Sequence, residues 1–119
     1  MDSWRLLKLQ TADAYTNMAV DEAIMKARTD NRVPNTLRLY QWSPSAVSIG
    51  HFQTLADEIH VDNCKTHGVD MVRRISGGGA VYHDYEGELT YCIVAKLADL
   101  CCKDLDMLGA YQKICSGIN

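Results

Sequence analysis

Apolar side chains recur along this chain with two periods, and the changes of period mark the elements. Residues 4–9, with Trp4, Leu6, Leu7 and Leu9, predict a strand. Asp13 is a candidate N-cap for a helix over residues 14–28, since its carboxylate can accept from the first free backbone N–H groups. In that helix Ala19, Val20, Ala23, Ile24 and Ala27 fall on one stripe and predict its buried face. After a turn at residues 31–35, residues 36–42 alternate as a strand, with Leu37, Leu39 and Gln41 on one side and Arg38, Tyr40 and Trp42 on the other. Ser43-Pro44-Ser45 interrupts it, and residues 46–49 resume as a short strand ending at Gly50.

Residues 51–59 carry no clear period. Residues 61–67 predict a short helix stopped by Gly68, a residue free to adopt a left-handed backbone. Strands are predicted at 69–75, 80–83 and 87–95, the last with Leu89, Tyr91, Ile93 and Ala95 on one face. A helix from about residue 104 carries Met107, Leu108, Tyr111, Ile114, Cys115 and Ile118 on one stripe, which reaches the last residues of the chain. This order of elements predicts an α+β fold with a mixed, largely antiparallel sheet and flanking helices.

The length of 119 residues fits a single domain or part of one. A net charge of −3 argues against nonspecific binding to nucleic acid or to an anionic membrane. No apolar run approaches the ~18 residues of a membrane span, and the charged start of the chain lacks a signal-peptide core, so a cytoplasmic location is expected. The five cysteines form no regular framework and are expected as reduced thiols.

The candidate chemistry lies in Arg73-Arg74-Ile75-Ser76-Gly77-Gly78-Gly79-Ala80-Val81-Tyr82-His83. Three glycines in a row between apolar strands cost conformational entropy, and are sensible where a ligand approaches the backbone or several N–H groups face one anion. The arginines add fixed positive charge with planar donors, Ser76 a hydroxyl, and His83 a second polar group. The alternative is a glycine-rich hairpin with solvated arginines. The loop is neither a P-loop, since no Lys-Ser/Thr follows the glycines, nor a dinucleotide fingerprint.

Arg-Arg-Ile-Ser-Gly-Gly-Gly-Ala-Val-Tyr-His-Asp, residues 73–84, closely resembles the lipoate-binding loop of lipoate–protein ligases, in the biotin/lipoate protein-ligase superfamily. Asn17-Met18-Ala19-Val20-Asp21-Glu22-Ala23, Leu37 to Trp42, Ala46 to Gly50, His51-Phe52-Gln53 and Gly87-Glu88-Leu89-Thr90-Tyr91 agree with that family in order and spacing. The resemblance covers nearly the whole chain and implies the family's fold in incomplete form, residues 1–119 being the N-terminal half of one catalytic domain. It implies a two-step reaction in which lipoate and Mg-ATP give lipoyl-adenylate, and the lipoyl group passes to a lysine of an acceptor such as an E2 lipoyl domain or glycine-cleavage H protein. By motif position, Arg74 would meet ATP or the adenylate phosphate. Gly79, Ala80, Val81 and Tyr82 would line the nucleotide through their backbone, and Ser76, Gly77 and Gly78 would border the lipoyl carboxylate. His83 would lie close to the adenylate, and Arg73 is a weaker, structural assignment.

The family's lysine at the reacting carbonyl lies in an Asn-Gly-Lys-Lys-like segment downstream of the last residue here, and none of Lys8, Lys26, Lys65, Lys96, Lys103 or Lys113 sits in such a motif. The expectation is therefore half an active site, from a truncated product or from a split enzyme completed by a separate polypeptide. The octanoyltransferase branch, which takes octanoyl groups from acyl carrier protein without ATP, is the nearest rival. It usually carries an arginine where Gly79 stands, so the ligase is expected. A third reading is a catalytically silent binding or interaction module.

Three smaller features each admit a simpler explanation. His60, Cys64 and His67 share a helix face on which zinc could sit with Asp57, although a polar helix surface explains them as well. Asp84, Glu86 and Glu88 could meet magnesium, or could form a solvated turn around Gly87. Trp4, Tyr40 and Trp42 are expected in the core or at its rim.

Overall fold

The computed structural model describes residues 3–101 and 112–116. Strand β1 (Arg5–Ala12) leads into helix α1 (Ala14–Thr29), followed by β2 (Thr36–Trp42), β3 (Ala46–Ile49) and the short helices α2 (Leu55–Glu58) and α3 (Val61–Thr66). Strands β4 (Asp70–Arg73), β5 (Val81–His83) and β6 (Thr90–Val94) follow, then α4 (Leu97–Cys101). The fold is mixed α+β, as the periodicity predicts. The order of elements and most of their bounds agree with the sequence. Helix α2 lies in the stretch without a clear period, and α4 follows β6 where no element is predicted. Most of the predicted C-terminal helix falls outside the described residues, of which 112–116 are helical.

Two three-stranded sheets form, in the orders β1-β2-β6 and β4-β3-β5. Each has one parallel pairing, β1 with β2 and β3 with β4, and one antiparallel, β2 with β6 and β3 with β5. Ser43-Pro44-Ser45, with a cis Ser43–Pro44 bond, carries the chain from the first sheet to the second. Trp42 at the end of β2 packs with Ala46 at the start of β3, and Ala14 and Tyr40 complete this small core. The Trp42 indole lies flat on the His83 ring at 3.9 Å between centroids, so one stacked pair joins the sheets.

Asp13 caps α1 as predicted, its carboxylate accepting from the Thr16 backbone N–H at 2.7 Å. That bond lowers the Asp13 carboxyl below its usual range, because it favours the charged form. The buried stripe of α1, however, is not the predicted alanine-rich one. Ala14, Asn17 and Ile24 are buried while Ala19 and Ala23 are exposed. The cause lies across the interface in β2, whose buried face is Arg38, Tyr40 and Trp42. The Arg38 guanidinium donates to the Asp21 carboxylate at 2.6 Å and to the Asn17 side-chain oxygen at 2.8 Å, and sits 3.9 Å from the centre of the Tyr40 ring. A charge this buried needs paired acceptors, so α1 turns its polar residues inward to supply them.

β6 follows the same logic. Cys92 pairs with Arg38 and packs on the core, whereas Tyr91 and Leu89 on the apolar face are 47% and 58% exposed. Gly68 ends the α3 segment at φ +68°, as its position predicts. No helix among the described residues is long and apolar enough to cross a membrane.

Candidate functional site

Where the two sheets meet, they leave an open cavity of about 640 Å³ beside α1. Met18 and Met25 of α1, Trp42, Val94 and Ile114 give it mostly apolar walls. Arg74, Ser76, Ser48 and His83 form its polar end. A cavity of these dimensions, apolar with a few convergent polar groups, suits a small ligand with one charged end.

Arg74 follows β4 directly, and its guanidinium organises that end. One terminal nitrogen donates to the Ser48 carbonyl and hydroxyl, both at 3.1 Å. The other donates to the carbonyls of Gly77 at 2.8 Å and Gly79 at 2.6 Å. The glycine loop is thus wrapped around its own arginine. Gly78 adopts φ +93°, a conformation that L side chains rarely adopt, while positions 77 and 79 are open around the missing Cβ. Arg73 takes no part in the cavity wall. Its guanidinium donates to the carbonyls of Gly50, His51 and Gln53, fixing the turn after β3.

Behind Arg74 runs a chain of side chains in which Ser48, His83 and Trp42 are buried and Glu88 and Thr90 half-buried. The Ser48 hydroxyl lies 2.8 Å from His83 Nε2, and His83 Nδ1 lies 2.7 Å from the Glu88 carboxylate. The same carboxylate oxygen accepts from the Thr90 hydroxyl, which accepts from the Trp42 indole N–H at 2.8 Å. At the floor, burial and the neighbouring Asp21 carboxylate push the Cys92 thiol up to about 12 and raise the Tyr40 hydroxyl as well.

A family model described as the lipoyl protein ligase A/B catalytic domain matches residues 13–119. The chain belongs to the lipoyl protein ligase A/B family. It is 47% identical over 95 residues to the octanoyltransferase LipM of Moorella thermoacetica, covering 80% of this chain and 34% of that protein. A lipoate-protein ligase A solved with bound ATP is 30% identical with a TM-score of 0.75, over 93% of this chain and 42% of the other. A bi-partite lipoate protein ligase of Thermoplasma acidophilum, studied with its E2 lipoyl domain, is 36% identical with a TM-score of 0.62, over 76% of this chain and 35% of the other. The chain therefore spans about a third of the length of the relatives it matches.

Within this lipoyl ligase family, the likenesses reach both the octanoyltransferase and the ATP-dependent ligase branch. The expected preference for the ligase rested on one residue, Gly79, whereas octanoyltransferases 46–47% identical over about four-fifths of the chain stand beside the ATP-bound ligase, which is 30% identical over 93% of it.

Of the residues that the sequence singles out, Arg74, Ser76, Val81 and His83 line the cavity. Gly77, Gly78, Gly79, Ala80 and Tyr82 are exposed and are not part of its lining. Both His83 nitrogens already have protein partners.

The smaller features resolve differently. His60 accepts from the Asn63 N–H and His67 contacts the Asn63 carbonyl, so both serve the ends of α3. Among the described residues no group of three or more His, Cys, Asp or Glu could hold a metal. Of the acidic trio, Glu88 is taken by His83 and Thr90. Tyr40 and Trp42 are core, whereas Trp4 is exposed. Sequence reasoning missed Ser48, Glu88 and Thr90 as parts of one unit. Their only signal is polar character at inward positions of two strands that are distant in the chain.

Proposed function

We propose that this chain forms the acyl-binding part of an enzyme that attaches a fatty-acyl group to a protein lysine, octanoyl transfer from acyl carrier protein being the first reading. The observation that carries it is the pairing of an apolar cavity of about 640 Å³ with the Arg74 guanidinium at its polar end. An eight-carbon chain occupies the apolar part, and the carbonyl end meets Arg74, the Ser76 hydroxyl and the glycine backbone. Such donors stabilise charge that develops on an acyl oxygen in a site partly shielded from water. The likeness to LipM octanoyltransferases supports this choice of acyl donor.

A second reading is ATP-dependent activation of lipoate to lipoyl-adenylate, favoured by the likeness to the ATP-bound ligase over 93% of the chain. In it Arg74 meets the adenylate phosphate, and His83 lies behind that contact. The backbone of Gly79, Ala80, Val81 and Tyr82 flanks the nucleotide, while Ser76, Gly77 and Gly78 border the carboxylate. Arg73 is structural in both readings. Magnesium would arrive on the nucleotide's phosphates. The acceptor in either case is a lipoyl domain of an E2 subunit or a glycine-cleavage H protein, and the setting is the cytoplasm, where acyl carrier protein and ATP are supplied. The catalytic lysine or thiol comes from sequence beyond these residues, on the same or a separate polypeptide.

The test mixes the purified chain, with and without a polypeptide covering the rest of the relatives' length, with octanoyl-acyl carrier protein and H protein. A parallel mixture holds lipoate, Mg-ATP and H protein. Octanoyl-H protein in the first mixture, read by intact mass, supports acyl transfer. Adenylate and lipoyl-H protein in the second alone support the ligase. Product in neither complemented mixture rejects both readings.

A further inference from the structure

The side chains from Trp42 to Arg74 form one hydrogen-bond chain whose directions are fixed by its ends. The Trp42 indole can only donate, so Thr90 accepts from it and gives its own hydrogen to Glu88. The Glu88 carboxylate can only accept, so His83 Nδ1 carries a hydrogen. Arg74 can only donate, so the Ser48 oxygen accepts from it and points its hydrogen at His83 Nε2. This neutral tautomer satisfies every link. A doubly protonated ring would aim two cationic donors, His83 and Arg74, at the one Ser48 oxygen. Ser48 and His83 are 1% and 8% exposed, so water does not substitute for a lost partner without cost.

We propose that Glu88, acting through His83 and Ser48, is a positioning group that orients the one side-chain acceptor of the Arg74 guanidinium, the other three acceptors being backbone carbonyls. Glu88 selects the His83 tautomer, the tautomer orients the Ser48 hydroxyl, and the hydroxyl presents a lone pair to Arg74. The importance of this alignment for acyl binding rests on the function proposed above. The alignment itself does not. His83 is accordingly a relay and not a ligand contact, with Trp42 stacked on its ring to prevent tilting. Glu88 lies outside the glycine loop and five residues beyond His83, where no loop motif would mark it.

The test is nitrogen-15 NMR on the full chain without ligand, followed by titration with octanoate. In the unsubstituted protein His83 is expected to carry its proton on Nδ1. The two terminal nitrogens of Arg74 should give separate signals, because four hydrogen bonds hinder guanidinium rotation. Glu88→Leu should mix the His83 tautomers, merge the Arg74 signals and weaken octanoate binding about tenfold, the loss of one well-oriented charged hydrogen bond. Glu88→Gln keeps a carbonyl acceptor and should preserve all three properties. Ser48→Ala should leave the His83 tautomer alone but merge the Arg74 signals, which tests the Ser48 link by itself, and Glu88→Ala takes the place of Glu88→Leu if that variant does not fold. A proton on Nε2 in the unsubstituted protein overturns the proposal. So do Arg74 signals unchanged in either variant, or unchanged octanoate affinity alongside merged signals. If octanoate binds no form of the protein, the acyl-site reading fails while the two spectroscopic signatures still judge the positioning.

Discussion

Gly50 and Gly78 touch: a Cβ built on Gly50 would collide with the Gly78 carbonyl oxygen. The end of β3 and the tip of the glycine loop are therefore in backbone contact, and the His51 N–H, donating to the Ser76 carbonyl, ties the same two segments together.

Gly50→Ala should displace the glycine loop, since the obstruction is backbone and cannot rotate away. A loss of about 1–3 kcal/mol is expected for overpacking of this kind, with large amide shifts over residues 76–79. Gly77→Ala meets nothing within 4 Å and should leave the melting temperature unchanged. If Gly77→Ala also abolishes octanoate binding, the ligand approaches the backbone at that position. Thermal unfolding and titration of both variants make the comparison.

Arg74→Ala should weaken binding of octanoate, or of lipoyl-adenylate in the second reading, by about 2 kcal/mol, as loss of a desolvated charged donor does. Arg74→Lys should recover little of it. An ammonium supplies charge but cannot span Ser48, Gly77 and Gly79 with fixed planar donors. Full recovery by lysine would mean that charge alone matters. Calorimetric titration of the two variants decides.

Asp21→Asn leaves the buried Arg38 charge without its compensating carboxylate and should cost about 3–5 kcal/mol in urea unfolding. Replacing Arg38 together with Asp21 by apolar residues of similar volume should cost much less, because no charge is then stranded. A small effect of Asp21→Asn alone would show that Asn17 and the Tyr40 ring suffice for Arg38.

Cys92 should resist alkylation at pH 8 in the folded protein while exposed Cys115 reacts, since only a thiolate attacks. The folded thiol is raised to about 12 from 9.0, so above pH 9 the unfolded chain loses a proton that the folded protein keeps. Stability from this group is complete below pH 9 and falls as the pH rises toward 12. Cys92→Ala should flatten that decline. Peptide-resolved mass spectrometry reads the alkylation, and unfolding at stepped pH reads the slope.

Local rules sufficed wherever a feature depends on near neighbours in the chain. Asp13 caps α1 because a carboxylate three residues before Thr16 reaches its N–H in any helix starting there. The alternation in residues 36–42, the Gly68 stop and the glycine loop are equally local. The two faces of β2 were visible too, but which of them is buried was not. Hydrophobicity favours Leu37 and Leu39, yet Arg38 lies inside, since Asp21, Asn17 and Tyr40 arrive from α1 and its own strand to compensate it.

The sequence by itself determined the order of the strands and of the helices α1 and α3, the caps and stops, the α+β class and the loop with its family. Tertiary structure alone decided which polar residues act together. Ser48, Arg74, His83, Glu88, Thr90 and Trp42 come from separate strands and loops, and only strand register brings their atoms within hydrogen-bonding distance. Gly50 and Gly78 likewise meet only when the loop folds back over β3. The physical reason is range. Capping, turn and alternation energies are set within a few residues, whereas compensation of buried charge and backbone contact depend on groups that the chain brings together only on folding.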